Sequence, residues 1–232
     1  MRCDFHCHTR YSYDSLISPT DVVRTIQKRG LEVVAITDHN TFYGVAEAVA
    51  AAEKVKIVVI PCMEVRTEIG DIIGLFLTQE ITSRNFKKAT EEIRSQNGIV
   101  MLPHPWKSSK LTEELIEQVD AVEIFNARCS QEENGYAFEL ARKYAKPGIF
   151  GSDAHLRREI GIGYCEIDAT VDFSSIKAGI LKGATAVHET CSPKWNTLFS
   201  QMVKIFRTGQ VLPSMKTLKE HGRALLKNNQ SR

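Results

Sequence analysis

No stretch of the sequence approaches the roughly 18 consecutive apolar residues of a membrane-crossing helix, so no contact with a membrane is expected. Its six cysteines (Cys3, Cys7, Cys62, Cys129, Cys165 and Cys191) include no CxxC pair. In a chain of this length that argues for reduced thiols and against a disulfide framework. Cys62 reads as a small buried hydrophobe. No Gly-rich nucleotide fingerprint follows the first strand. No Ser, Cys or Thr stands beside an evident base, which disfavours a covalent intermediate. Internal repeats and low-complexity tracts are absent as well. Candidate ligands begin at His6, so no signal peptide is expected and the location is read as cytoplasmic.

What is present is ordinary in bulk. With 43% apolar and 25% charged residues among 232, the chain can bury a real core within one α/β domain. Charge is uneven: residues 194–232 carry +7, which leaves −5 on the first 193. Such a basic tail is either a nucleic-acid contact or a solvated helical face.

Strands are expected at Arg2–Cys7, Leu31–Thr37, Val55–Cys62, Ile99–Leu102, Ala121–Phe125, Pro147–Phe150 and Gly163–Ile167. Helices fall between them. The clearest start is Ser18-Pro19-Thr20-Asp21, with a capping Ser, Pro at the first helical position and an acid in the first turn. Val65–Leu77, broken at Gly70-Asp71, reads as a hairpin or two short strands, with Asp71 assigned to turn chemistry. Repeated strand–helix alternation means a parallel sheet, and this many strands in one domain favours a closed barrel. The expected division is a barrel over residues 1–193 and a basic helical extension over 194–232 packed on it. Trp195, Leu198, Phe199, Met202, Ile205 and Phe206 recur there at helical spacing, and a second basic segment spans Leu212 to Leu226.

His6 and His8 stand two apart at a strand end. Strict alternation points them one way, and Cys3, Phe5 and Cys7 the other. Alone, that is half a metal site or merely a wet strand face. His39, Glu64, His104 and the Asp153/His155 pair likewise lie at or just beyond strand C-terminal ends, the rim where barrel proteins put their active sites. Five of seven histidines gather there. Imidazole plus carboxylate without thiolate suits Zn²⁺, Mn²⁺ or Fe, and there are more donors than one tetrahedral ion can use.

His6-Cys7-His8-Thr9, Thr37-Asp38-His39, Glu64, Pro103-His104-Pro105 and Gly151-Ser152-Asp153-Ala154-His155 resemble the ordered motifs of the polymerase-and-histidinol-phosphatase (PHP) superfamily. The resemblance spans about residues 2–165. It implies a distorted (β/α)7 TIM-like barrel with two or three divalent metals (Zn, Mn or Fe) and hydrolysis of phosphate esters. It further implies a first metal on His6, His8, Glu64 and Asp153, a second on Glu64 and His104, and a third on Asp14, His39 and His155. Many relatives place another histidine at the end of the sixth strand, where this chain has Asn126; its oxygen would be a weak ligand, or water would take the position. Asp71 is the alternative substitute ligand, although turn chemistry is the preferred reading for it.

Lys107, Arg128 and Arg157 follow rim strands and are candidates to grip a substrate phosphate, with surface salt bridging the alternative for each. The leading reading is a metal-dependent phosphoesterase that hydrolyses a phosphomonoester of a small molecule or a nucleotide by attack of metal-bound hydroxide. Rival readings are a nuclease on single-stranded nucleic acid bound through the basic tail, and a non-catalytic, metal-stabilised interaction module. An amidohydrolase or deaminase ranks lower because its usual motif spacing differs. Substrate identity and oligomeric state are not encoded in these motifs.

Overall fold

The structure, a computed structural model, describes residues 1–108 and 110–209. The basic segment read at Leu212 to Leu226 lies outside the described residues. In chain order the elements are β1 (Arg2–Cys7), α1 (Pro19–Lys28), β2 (Val33–Ile36), α2 (Tyr43–Ala52), β3 (Val58–Arg66), β4 (Asp71–Leu75), α3 (Phe86–Ser95) and β5 (Ile99–Leu102). There follow α4 (Glu113–Glu117), β6 (Ala121–Asn126), α5 (Gln131–Lys143), β7 (Gly148–Gly151), β8 (Gly163–Glu166), α6 (Phe173–Lys182), β9 (Ala186–Glu189) and α7 (Lys194–Thr208). No described helix is long and apolar enough to cross a membrane.

The strands form one sheet in the order β7-β6-β5-β4-β3-β2-β1-β8-β9. It curls into a nearly closed barrel because β1 serves two neighbours. The start of β1 pairs with β8 through Cys3 and Cys165. Its end meets the segment after β7, where Cys7 bridges Ala154 and the His8 N–H donates to the Ala154 carbonyl at 3.0 Å. That approach requires Gly151: a Cβ there would lie 2.3 Å from the His6 Cβ and 2.4 Å from a Glu123 oxygen.

A wholly parallel sheet is corrected. β4 runs antiparallel to β3 and β5, and β8 runs antiparallel to β1 and β9. The link Thr67–Gly70 is too short for a crossover helix and permits only a hairpin. Pairing with β4 also extends β3, so that Glu64 lies within the strand opposite Ile73 and not beyond its end.

Apolar side chains from the strands fill the barrel (Cys3, Phe5, Ala35, Ile60, Met101 and Ile149 among them), and α6 packs into them through Ile176 and Ile180. Outside, α1 and α2 cover Val34, Ile36 and Cys7, while α3, α4 and α5 cover Met63, Val65, Val100 and Val122. Ser18 caps α1 as expected, its hydroxyl accepting the Asp21 N–H at 3.1 Å.

Candidate metal centre

Two β-bulges aim the central side chains. Between Asp4 and Cys7, β1 has one residue more than the facing stretch of β2. Strict alternation therefore fails: Phe5 lies in the barrel interior and Cys7 under the helices. His6 and His8 consequently share the interior rim. β6 carries a second irregularity between Glu123 and Phe125, directly beside the site. Asn40, His104 and Asp153 at the same rim have positive φ of 53°, 29° and 50°, strained backbone of the kind that concentrates at functional sites.

Three histidines have one ring nitrogen committed to an acceptor or hydroxyl. The His6 Nδ1–H donates to Glu123 Oε1 at 2.9 Å. His8 Nδ1 meets the Ser12 hydroxyl at 3.1 Å, and that hydroxyl donates to Asp38 at 2.8 Å. The His155 Nδ1–H donates to the Asp153 carbonyl at 2.8 Å. This arrangement leaves each Nε2 lone pair facing the cavity, the orientation in which imidazoles bind metals. His6 Nε2 and His8 Nε2 are 3.0 Å apart, two lone pairs facing each other unless a cation or proton lies between.

Carboxylates close the cluster. Asp153 Oδ1 stands 3.3 Å from His8 Nε2 and 3.6 Å from His6 Nε2. Glu64 is shared: Oε1 lies 3.1 Å from His104 Nε2, and Oε2 lies 2.8 Å from His39 Nδ1 and 3.4 Å from His8 Nε2. Asp14 Oδ2 sits between His155 Nε2 at 3.3 Å and His39 Nε2 at 3.4 Å. Glu64 Oε2 and Asp14 Oδ1 are buried without a hydrogen bond of good geometry. Orphaned buried oxygens are costly, and a coordinated cation is what would satisfy them. The donor set therefore fits divalent metals.

The charge states agree. Burial alone would raise Glu64, but His39 and His6 outweigh it and hold the carboxyl well below its ordinary value. Asp153 is lowered likewise by His6, His8 and Lys107 against the cost of burial. Burial, reinforced by His155 and His39, pushes His8 well down, which keeps it neutral. Neutral His8 and the ionised carboxylates are in ligand form. His6 and His39, which burial would lower but the neighbouring carboxylates hold well above the ordinary imidazole value, carry the protons that a bound cation would displace.

His6, His8, Asp14, His39, Glu64, His104, Asp153 and His155 are thus brought together. Asn126 is at this rim, but the oxygen expected as a weak ligand is turned away and accepts the Arg128 N–H at 2.9 Å. Its NH₂ instead donates to Glu123 and Asp153, at 2.9 and 3.2 Å, because only a donor suits two carboxylates. Asp71 is not turn chemistry. It opens β4, and a carboxylate oxygen of it lies within 4.8 Å of a Glu64 oxygen and a His104 ring nitrogen, while Arg66 grips it at 2.9 and 3.1 Å.

The three candidate cations part company. Lys107 Nζ faces Asp153 at 3.8 Å across the cavity mouth. Arg128 spends its fork on Glu159, at 3.1 and 2.8 Å, and a further N–H on Ser200, so it is engaged in a buried ion pair. Arg157 lines a different groove with Lys28, Arg158 and Trp195, and stands 3.8 Å from Asp21.

The sequence reading missed Glu123, which is 1% exposed and also accepts the His104 N–H at 2.9 Å. The available signal was a charge inside the apolar strand run AVEIF.

An α/β barrel with imidazoles and carboxylates converging at one rim defines a protein with a candidate multi-histidine metal centre. The PHP domain model matches residues 4–144, and a PHP-associated model matches residues 131–185. The chain belongs to the PHP family. An uncharacterized protein of Methanocaldococcus jannaschii is 36% identical over 176 residues, covering 71% of this chain and 69% of the relative. A 5′-3′ exoribonuclease of Haemophilus influenzae is 41% identical over 96 residues, 41% of this chain but only 34% of that enzyme. Among solved structures, a two-domain protein of Bacteroides vulgatus containing a predicted PHP-like metal-dependent phosphoesterase matches with a TM-score of 0.73 at 19% identity. That match covers 82% of this chain and 65% of the other.

Proposed function

We propose that this chain is a metal-dependent phosphoesterase that hydrolyses a phosphomonoester of a small molecule or nucleotide. The observation that carries the proposal is the convergence of inward Nε2 atoms on the carboxylates of Glu64 and Asp14, each of which has one buried oxygen without a hydrogen bond. His6, His8, Glu64 and Asp153 would hold one ion, Glu64 and His104 a second, and Asp14, His39 and His155 a third. For the second ion, Asp71 is better placed than Asn126 to add an oxygen. Two or three such ions, Zn²⁺, Mn²⁺ or Fe, would supply Lewis-acid activation of water and neutralise charge on the phosphoryl oxygens.

The chain's own groups do the positioning. Glu123, Ser12 and the Asp153 carbonyl keep the proton of each partner histidine on Nδ1. Lys107, at the mouth, is placed to meet a phosphate oxygen. Hydrolysis by water needs no protein nucleophile, and the nearby thiol is a poor one: burial pushes Cys129 up to about 12.

A second reading, cleavage of a nucleic-acid strand, is favoured by the relative named as a 5′-3′ exoribonuclease. The test is metal content together with turnover of p-nitrophenyl phosphate and its bis-ester under Mn²⁺, Zn²⁺ and Mg²⁺. Two or three ions per chain and monoester turnover, lost in His6→Ala, are expected. Turnover of the bis-ester alone would transfer the proposal to the nuclease. No ions and no turnover would leave a non-catalytic module.

A further inference from the structure

Helix α7 begins at Lys194, beyond both matched family regions, which end at residues 144 and 185. It nevertheless forms one wall of the metal cavity. Thr197, Gln201 and Lys204 line that cavity of about 310 Å³ together with Asp14, Glu64 and His155. Their spacing of four and three residues places them on one helix face. The helix is fixed by contacts at both ends and its middle. Arg158 stacks 3.7 Å over the Trp195 ring and donates to Asn196 at 2.8 Å. Arg128 donates to Ser200 at 2.9 Å. Arg207 donates to the carbonyls of Arg10 and Ser12, at 2.9 and 2.8 Å, on the very loop that orients His8.

Four cations line the cavity, and two are already spent. Arg66 is held bidentately by Asp71, and Arg128 by Glu159. Lys107 has one loose partner at 3.8 Å. Lys204 has no ion pair among the described residues; its ammonium rests 4.5 Å from the centre of the Tyr13 ring, which stacks on His39. One turn earlier, Gln201 Oε1 is buried with no hydrogen bond. A buried acceptor without a donor is costly, and a ligand hydroxyl or amine at this wall would supply one.

We propose that α7 makes the substrate-recognition wall of the site. Lys204 binds a phosphate oxygen opposite Lys107, and Gln201 Oε1 accepts a hydrogen bond from a hydroxyl or amine on the leaving group. The substrate class is thereby a small hydroxylated or amino-bearing phosphomonoester, a size that suits the enclosed volume. This rests on the phosphoesterase reading.

Titration calorimetry of inorganic phosphate into the metal-loaded full chain tests the first half. Lys204→Ala is expected to weaken phosphate binding about ten- to hundredfold, the scale of a lost charge-assisted hydrogen bond. Metal content and melting temperature should stay at wild-type values, and Lys204→Arg should recover part of the affinity. The second half is read from kcat/KM for glycerol 2-phosphate relative to p-nitrophenyl phosphate, which lacks a hydroxyl. Gln201→Leu is expected to lower that ratio about tenfold. Wild-type phosphate affinity in Lys204→Ala, or an unchanged ratio in Gln201→Leu, overturns the corresponding half while the wild type still turns over monoesters. A wild type that neither holds metal nor hydrolyses any monoester takes the underlying reading down with it.

Discussion

The strand-end rim and α7 border the same cavity but are built on opposite plans. On the rim, His6 leans on Glu123, His8 on Ser12 and Asp38, and His155 on a backbone carbonyl, all of them buried. On α7, Gln201 Oε1 has no donor and Lys204 no carboxylate among the described residues. The rim spends its polar groups on one another, which fixes donor atoms to the accuracy a metal requires. The helix keeps its groups uncommitted, as a surface must that exchanges partners with each substrate. The family models cover the rim and end before α7.

The largest test of this contrast removes a rim donor. His6→Ala should lower kcat/KM for p-nitrophenyl phosphate about a thousandfold or more, given several kcal/mol of charge stabilisation per bound ion. A drop as small as that expected for Lys204→Ala would erase the distinction between the two walls. Next comes the support behind the donor: Glu123→Gln should weaken metal binding about 10- to 100-fold, measured by competition with a chelator. Unchanged affinity would mean that the carboxylate behind His6 is only packing.

The third test concerns the seam between the walls. Arg128→Ala leaves Glu159 buried without its cation, so a loss of about 3–5 kcal/mol in urea unfolding is expected. A large rise in KM without loss of stability would instead restore Arg128 as a phosphate grip. The fourth removes the metals. Chelation should lower the melting temperature by roughly 5–10 °C, the scale of ions bound at about a hundredfold their dissociation constant. The smallest effect belongs to Arg157→Ala, in the separate groove: a change within about 0.5 kcal/mol and monoester kinetics near wild type.

Much of the rim was legible because its donors sit at strand ends and a barrel gathers strand ends on one face. Regular alternation does not explain how His6 turns inward after Phe5, since that depends on a bulge that only pairing with the neighbouring strand creates. Arg128 and Arg157 looked alike in the sequence, each a cation just past a rim segment. Folding sent one into a buried pair with Glu159 and the other into a groove with Lys28. Asn126 occupied a ligand's place by position, yet its two carboxylate neighbours turned its amide nitrogen, not its oxygen, to the site.

The sequence by itself determined the barrel class, the order of the motifs and the chemistry of the donors. Those follow from residue type and local spacing, which the chain carries wherever it goes. Tertiary structure alone decided which cations stayed uncommitted, which carboxylates backed which histidines, and that α7 closes the cavity. Each of these depends on contacts between segments far apart in the chain, such as Arg207 with Arg10 and Arg128 with Ser200, and no local pattern encodes such pairings.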